Sequence, residues 1–168
     1  MDSETARRFQ ALERRLQRLE TKPAPLYVVG SFAPTLVGST TPGTFTYTAN
    51  ATIVEWTRLA NRVHFNGRIV ITVITVAPVG NMTIAGLPYV GVSDPNMAIA
   101  GGAAFLGWRG ITMPAGYTQV AAQIGNGVAT MLLTRQASAA AIAAVQGADI
   151  ALVAGSLDFR FEGQYRVA

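Results

Sequence analysis

Residues 62–76 read Arg62-Val63-His64-Phe65-Asn66-Gly67-Arg68-Ile69-Val70-Ile71-Thr72-Val73-Ile74-Thr75-Val76. Val63, Phe65, Ile69, Ile71 and Val73 share one face of an extended chain, with Gly67 among them. The opposite face begins His64, Asn66, Arg68 and ends Val70, Thr72, Ile74. A period of two predicts one long β-strand. It starts with one wet face and becomes apolar on both, as a strand does on entering a sandwich core or a subunit interface.

The same period recurs on either side. Thr44–Thr48 alternates Thr and aromatic residues, Ile53–Leu59 follows, and Asn61-Arg62 marks a turn. Tyr27–Val29 reads as a short strand, and Ser39–Gly43 as a turn cluster. Downstream, strands are predicted at Met82–Ala85, Ile99–Leu106, Tyr117–Ile124, Val128–Thr134, Ile150–Val153 and Leu157–Tyr165. Asn126-Gly127 is the strongest hairpin signal present. In the last strand Leu157, Phe159, Phe161 and Tyr165 alternate with Asp158, Arg160, Glu162 and Gln164. The alanine-rich run Ala137–Val145 admits two helical turns or a loop. Many short strands joined by Gly- and Pro-bearing turns predict a mainly β protein, an antiparallel sandwich or jelly roll.

The first 22 residues have a different character. They hold ten charged side chains, six basic and four acidic, whereas the following 146 hold seven basic and five acidic. Phe9, Leu12, Leu16 and Leu19 are spaced 3, 4, 3, the a/d seam of a coiled coil. In that register Arg8 and Arg15 occupy g while Glu13 and Glu20 occupy e. The pairs Arg8–Glu13 and Arg15–Glu20 then bridge neighbouring parallel helices. Ser3 can cap the helix, and Pro23 and Pro25 stop it. An amphipathic helix packed on its own domain is the alternative. The expected organisation is a coiled-coil attachment stem (1–22), a Pro/Gly-containing linker (23–43) and a β head (44–168).

Composition narrows the class. Half the residues are apolar, only 13% are charged and mean hydropathy is +0.31, which excludes intrinsic disorder. Ile69–Ser93 is uncharged but broken by Pro78 and Pro88, so a membrane-spanning helix is not expected. The charged N-terminus does not read as a signal peptide, and without cysteine there is no disulfide or thiolate site. The net charge of +4 divides into +2 from the arm (6 − 4) and +2 from the rest (7 − 5), with no basic stripe for nucleic acid. So apolar a soluble chain is expected to bury surface against copies of itself.

Three segments carry a family resemblance: Arg58-Leu59-Ala60-Asn61-Arg62-Val63-His64-Phe65-Asn66-Gly67-Arg68-Ile69, Ile84-Ala85-Gly86-Leu87-Pro88-Tyr89 and Phe161-Glu162-Gly163-Gln164-Tyr165. In this order they resemble the C-terminal receptor-binding domains of bacteriophage tail fibres and spikes, over about residues 44–166. The resemblance implies a homotrimeric β-jelly-roll head on a short coiled-coil stem. It implies a virion adhesin for a cell-surface glycan or protein, with no fixed catalytic residues. A head fibre of a phage or of a gene transfer agent particle is equally compatible. The stem would join a baseplate or capsid-spike protein, and the particle would assemble in the bacterial cytoplasm.

The search for chemistry supports binding over catalysis. His64 is the only histidine and has no acidic neighbour in sequence, so neither a metal site nor a Ser-His-Asp triad is expected. Gly125 and Gly127 lack the context of a dinucleotide loop, and no cofactor is expected. Glycoside hydrolysis needs two carboxylates about 5–10 Å apart. Among Glu55, Asp94, Asp149, Asp158 and Glu162, the pair Asp158 and Glu162 shares a strand face but at about 13 Å. Cross-strand pairs stay open. Sugar binding asks for an exposed aromatic ring and planar polar groups. Trp108 and Arg109 sit between glycines where a loop would present them, Asp94 and Asn96 lie in a turn, and Tyr117 flanks another. Trp56, in mid-strand, is expected in the core. The expected function is host attachment through a surface polysaccharide. A structural decoration protein is the alternative, and a polysaccharide depolymerase a further one.

Overall fold

The structure, a computed structural model, describes residues 8, 10, 12–14, 27–93, 102–138, 140–152 and 156–168. Eleven strands follow one another: β1 (Tyr27–Phe32), β2 (Thr35–Gly38), β3 (Thr44–Tyr47), β4 (Ile53–Leu59), β5 (Arg62–Val76), β6 (Met82–Ala85), β7 (Gly102–Arg109), β8 (Gln119–Ile124), β9 (Thr130–Ala137), β10 (Ala140–Ala144) and β11 (Leu157–Arg166). All pair antiparallel along the path β1-β4-β5-β11-β7-β8-β9-β6-β2, with β3 on β5 and β10 on β9. The expected mainly β, antiparallel architecture is present. The expected division into two sheets is replaced by one continuous ladder. Its end strands β1 and β2 are separated by only Ala33 and Pro34 in sequence, so the sheet must curl until its ends meet.

The curl wraps one core. Val63, Phe65, Ile69 and Ile71 of β5 and Leu157, Phe159, Phe161 and Tyr165 of β11 point inward, as their alternation requires. Phe65 packs on Phe161 and Tyr165 with centroids 6.2 and 5.9 Å apart. Burial pushes the Tyr165 phenol up to about 12, while its oxygen accepts the Tyr89 amide. Gly67 interrupts the inward face because β4 comes too close: a Cβ there would lie 2.4 Å from Val54 Cγ2. Thr52 fills the gap where β5 changes partner from β4 to β3. Its buried hydroxyl accepts the Val70 amide at 3.0 Å and donates to the Val70 carbonyl at 3.2 Å.

Four sequence expectations are corrected. The segment 23–43, expected as a linker, contributes β1 and β2, because β4 and β6 each offer an edge that these residues complete. Ala140–Ala144 is a strand, neither helix nor loop. Pairing with the edge of β9 that β6 leaves open overrides the helix preference of alanine. Ile150 forms only an isolated bridge to Ile111, because a 3₁₀ turn at Gly147–Asp149 precedes it; Val153 lies outside the described residues. That turn is fixed by Asp149, whose carboxylate accepts the Gln146 amide at 2.8 Å and meets Arg135 at 2.6 Å. The fourth concerns one end only: the strand expected at Ile99–Leu106 is present from Gly102 and runs on to Arg109 as β7, while residues 99–101 lie outside the described residues.

Of the proposed stem, Arg8, Gln10, Leu12, Glu13 and Arg14 are helical and exposed. Leu12 is 55% exposed, so the head does not bury it. Phe9, Arg15, Leu16, Leu19 and Glu20 lie outside the described residues.

Candidate functional site

The inward alternation that builds the core forces the intervening residues outward, and on β1, β4, β5, β11 and β7 these form ordered rows. Antiparallel pairing aligns Ser31, Glu55, Asn66, Glu162 and Phe105 in one row across five strands. The next row toward the start of β5 is Val29, Thr57, His64, Gln164 and Ala103. Beyond it lie Tyr27, Leu59, Arg62 and Arg166. On the other side follow Ile53, Arg68, Arg160 and Gly107. Neighbouring strands stand about 4.8 Å apart, so each row spans a surface wide enough for several sugar rings.

Phe105, 82% exposed, stands at the β7 end of the first of these rows, beside Glu162. Two shallow depressions meet around it and share Glu55, Asn66, Glu162 and Phe105. One extends to His64, Gln164, Arg62 and Arg166; the other extends to Arg68, Arg160 and Gln119. A phenylalanine this exposed, with a carboxylate on the neighbouring strand, contributes nothing to the core. It offers a stacking surface with hydrogen-bonding groups around it.

The charges at the far edge are organised by Asp158. Arg68 grips its carboxylate with Nε at 2.9 Å and Nη2 at 2.6 Å, and Arg160 stands 3.9 Å away. The Arg68 hydrogen bonds hold the Asp158 carboxyl below the usual carboxylate range, with Arg160 and Arg109 adding to the effect.

The residues singled out from sequence are dispersed. Trp108 lies on strand β7 and not on a loop; it pairs with buried Phe159 and packs partly buried against the core, because its strand position faces inward. Arg109 faces outward beside Asp158 and donates to Ser156 Oγ. The Tyr117 hydroxyl donates to the Ala141 carbonyl at 3.2 Å, and the Arg135 guanidinium covers its ring at 4.9 Å. Asp94 and Asn96 lie outside the described residues. Trp56 packs against the core as expected, with Tyr89 edge-on at 5.3 Å. Thus, of those among the described residues, only Arg109 joins the outer face. Phe105 has no distinguishing sequence context, because Ile99–Leu106 reads as an ordinary strand; its signal is phase, since Ala104 and Leu106 share the inward face and leave Phe105 outside.

Among the described residues no group of three His, Cys, Asp or Glu side chains could hold a metal ion, and no helix is long and apolar enough to cross a membrane.

No family model and no curated protein matches this chain. Among solved structures it resembles the crystal structure of the Dettilon tailspike protein, with a TM-score of 0.63 at 18% identity. The match covers 83% of this chain and 24% of the tailspike, so this chain spans about a quarter of that protein. The two share a fold over that part.

Proposed function

We propose that this chain is a virion fibre or spike protein that attaches a phage or phage-like particle to the bacterial surface by binding a surface glycan without cleaving it. Phe105 carries the reading: a ring 82% exposed on an open sheet face, next to Glu162 and at the end of the row that continues through Asn66 to Glu55. A sugar stacks on the ring while the carboxylates and amides accept and donate to its hydroxyls. The likeness to a tailspike and the three sequence segments support the setting. Copies associate as a trimer, so that weak single sites act together. Residues 1–22 hold the head to a baseplate or capsid-spike protein of the particle. No cofactor is required, and Arg109 belongs to the rim of the site.

The test is binding of the full chain to an array of bacterial surface polysaccharides, with Phe105→Ala beside it. We expect the variant to keep its melting temperature and to weaken binding at each site roughly fivefold, about 1 kcal/mol. A folded chain that binds no polysaccharide would leave the structural decoration role in its place.

A second reading rests on Glu55 and Glu162. They share a row with Asn66 between them, two strand spacings or about 9.6 Å apart, near the upper end of the separation for inverting hydrolysis. Release of reducing ends by the native chain, lost in Glu162→Gln, would convert the binding face into a depolymerase site.

A further inference from the structure

The outer face contains two positions where arginine stands directly opposite arginine on adjacent strands: Arg62 with Arg166, and Arg68 with Arg160. Like charges in directly opposed positions destabilise a sheet. The second pair is relieved by Asp158, which meets both of its members. The first pair has no such relief. Among the described residues neither Arg62 nor Arg166 forms a salt bridge, and Arg62 reaches only the Gln164 amide oxygen, at 3.5 Å. Both arginines are exposed and line one end of the depression that leads to Phe105. Tyr27, 67% exposed, and Leu59 complete the row.

We propose that Arg62 and Arg166 form an anion-binding subsite that takes the carboxylate of an acidic sugar in the surface polysaccharide. This rests on the attachment reading above and specifies the class of glycan. Two guanidinium forks side by side supply paired donors matched to a carboxylate. The unrelieved repulsion is a local cost in stability that a bound anion removes, as a functional site commonly shows. The same depression turns acidic four residues along the strands, at Glu55 and Glu162, about 13 Å from the arginines. A polymer with closely spaced phosphates would meet those carboxylates. A polysaccharide with a single carboxylate per repeat sets its charge on the arginines and lays neutral sugars across Glu55, Asn66 and Phe105.

The experiment measures binding of the full chain to carboxylate-bearing, phosphate-bearing and neutral bacterial polysaccharides and to a DNA duplex, at low and high salt. The variants are Arg62→Gln, Arg166→Gln and Phe105→Ala. We expect the carboxylate-bearing class to bind best, to weaken with salt, and to lose about tenfold in affinity in either arginine variant. The melting temperature of those variants should hold or rise as the repulsion is relieved. Unchanged binding in the arginine variants, with loss in Phe105→Ala, would overturn the subsite and leave the attachment reading standing. Equal or tighter binding of the duplex or the phosphate-bearing class would overturn it in favour of a general basic patch. A folded chain that binds no polysaccharide of any class would remove the attachment reading itself.

Discussion

The two halves of the curled sheet share one core and differ almost completely in charge. From Tyr27 onward, every described charged side chain except Arg135 and Asp149 lies on β4, the first seven residues of β5, β7 or β11. Residues 35–54 and 69–93, which supply β2, β3, β6 and the distal end of β5, carry no charge. Yet that uncharged end exposes Val73, Val76 and Val79, each nearly half accessible. Charge is thus concentrated where the outer face carries Phe105 and withheld where valines meet solvent. Surfaces that bind polar ligands keep their charges, and the centres of stable protein interfaces are depleted of them. On our reading the charged half meets the host and the uncharged half meets other copies of the chain.

The largest effect tests whether the halves are truly one body. Phe159 lies beneath the charged half and Leu133 beneath the uncharged one, both fully buried. Phe159→Ala should cost about 3–5 kcal/mol and Leu133→Ala about 2–5 kcal/mol, measured by urea unfolding. Both variants should unfold in a single transition by every probe, because one hydrophobic cluster contains both residues. Two separable transitions would mean that each half folds on its own core.

The next effect concerns association. Val73→Asp and Val76→Asp place a charge at the exposed end of β5, where neither side chain belongs to the core. Sedimentation velocity should show the native chain as a trimer and each variant shifted toward monomer, since a desolvated unpaired charge is costly at an interface. Phe105→Asp should leave the trimer intact. The opposite pattern, with Phe105→Asp dissociating the protein, would exchange the roles of the two halves.

Much of this division is legible in sequence, for a physical reason. Strand alternation is a local property, so the faces of β11, and of β5 as far as Ile71, can be assigned from their own residues; beyond Ile71 the pairing with β3 shifts register, so that Val73, expected on the core face, meets solvent and Ile74 packs on the core. The uncharged stretch from Ile69 to Ser93 likewise announces a surface or core without ion pairs. What sequence does not carry is register. Glu55, Asn66, Glu162 and Phe105 come from four strands, and only the pairings between β4, β5, β11 and β7 set them in one row. The same gap hid the facing pair Arg62 and Arg166. Edge completion is equally non-local: Thr35–Gly38 and Ala140–Ala144 become strands because β6 and β9 offer them free edges. The glycine neighbours of Trp108 suggest a loop, whereas strand β7 runs through them.

The smallest effect reads the ion pair of the charged half by pH. On the charged half, the Arg68 hydrogen bonds hold the Asp158 carboxyl below its ordinary value, so the folded state prefers the carboxylate more than the unfolded chain does. The stability this contributes is present above the unfolded carboxyl range, near pH 4, and is lost as the pH falls through the lowered folded value. The contribution is modest, because the Arg68 side chain is 40% exposed and its charge is screened by water and salt. Melting temperatures of the native chain and of Asp158→Asn, measured from pH 7 down to pH 2, read it directly. Their difference should hold steady through the neutral range, begin to narrow near pH 4 and nearly vanish in strong acid. If the Asp158→Asn difference persisted in strong acid as well, its role would be to hold the strand ends in register and not to answer the arginines around it.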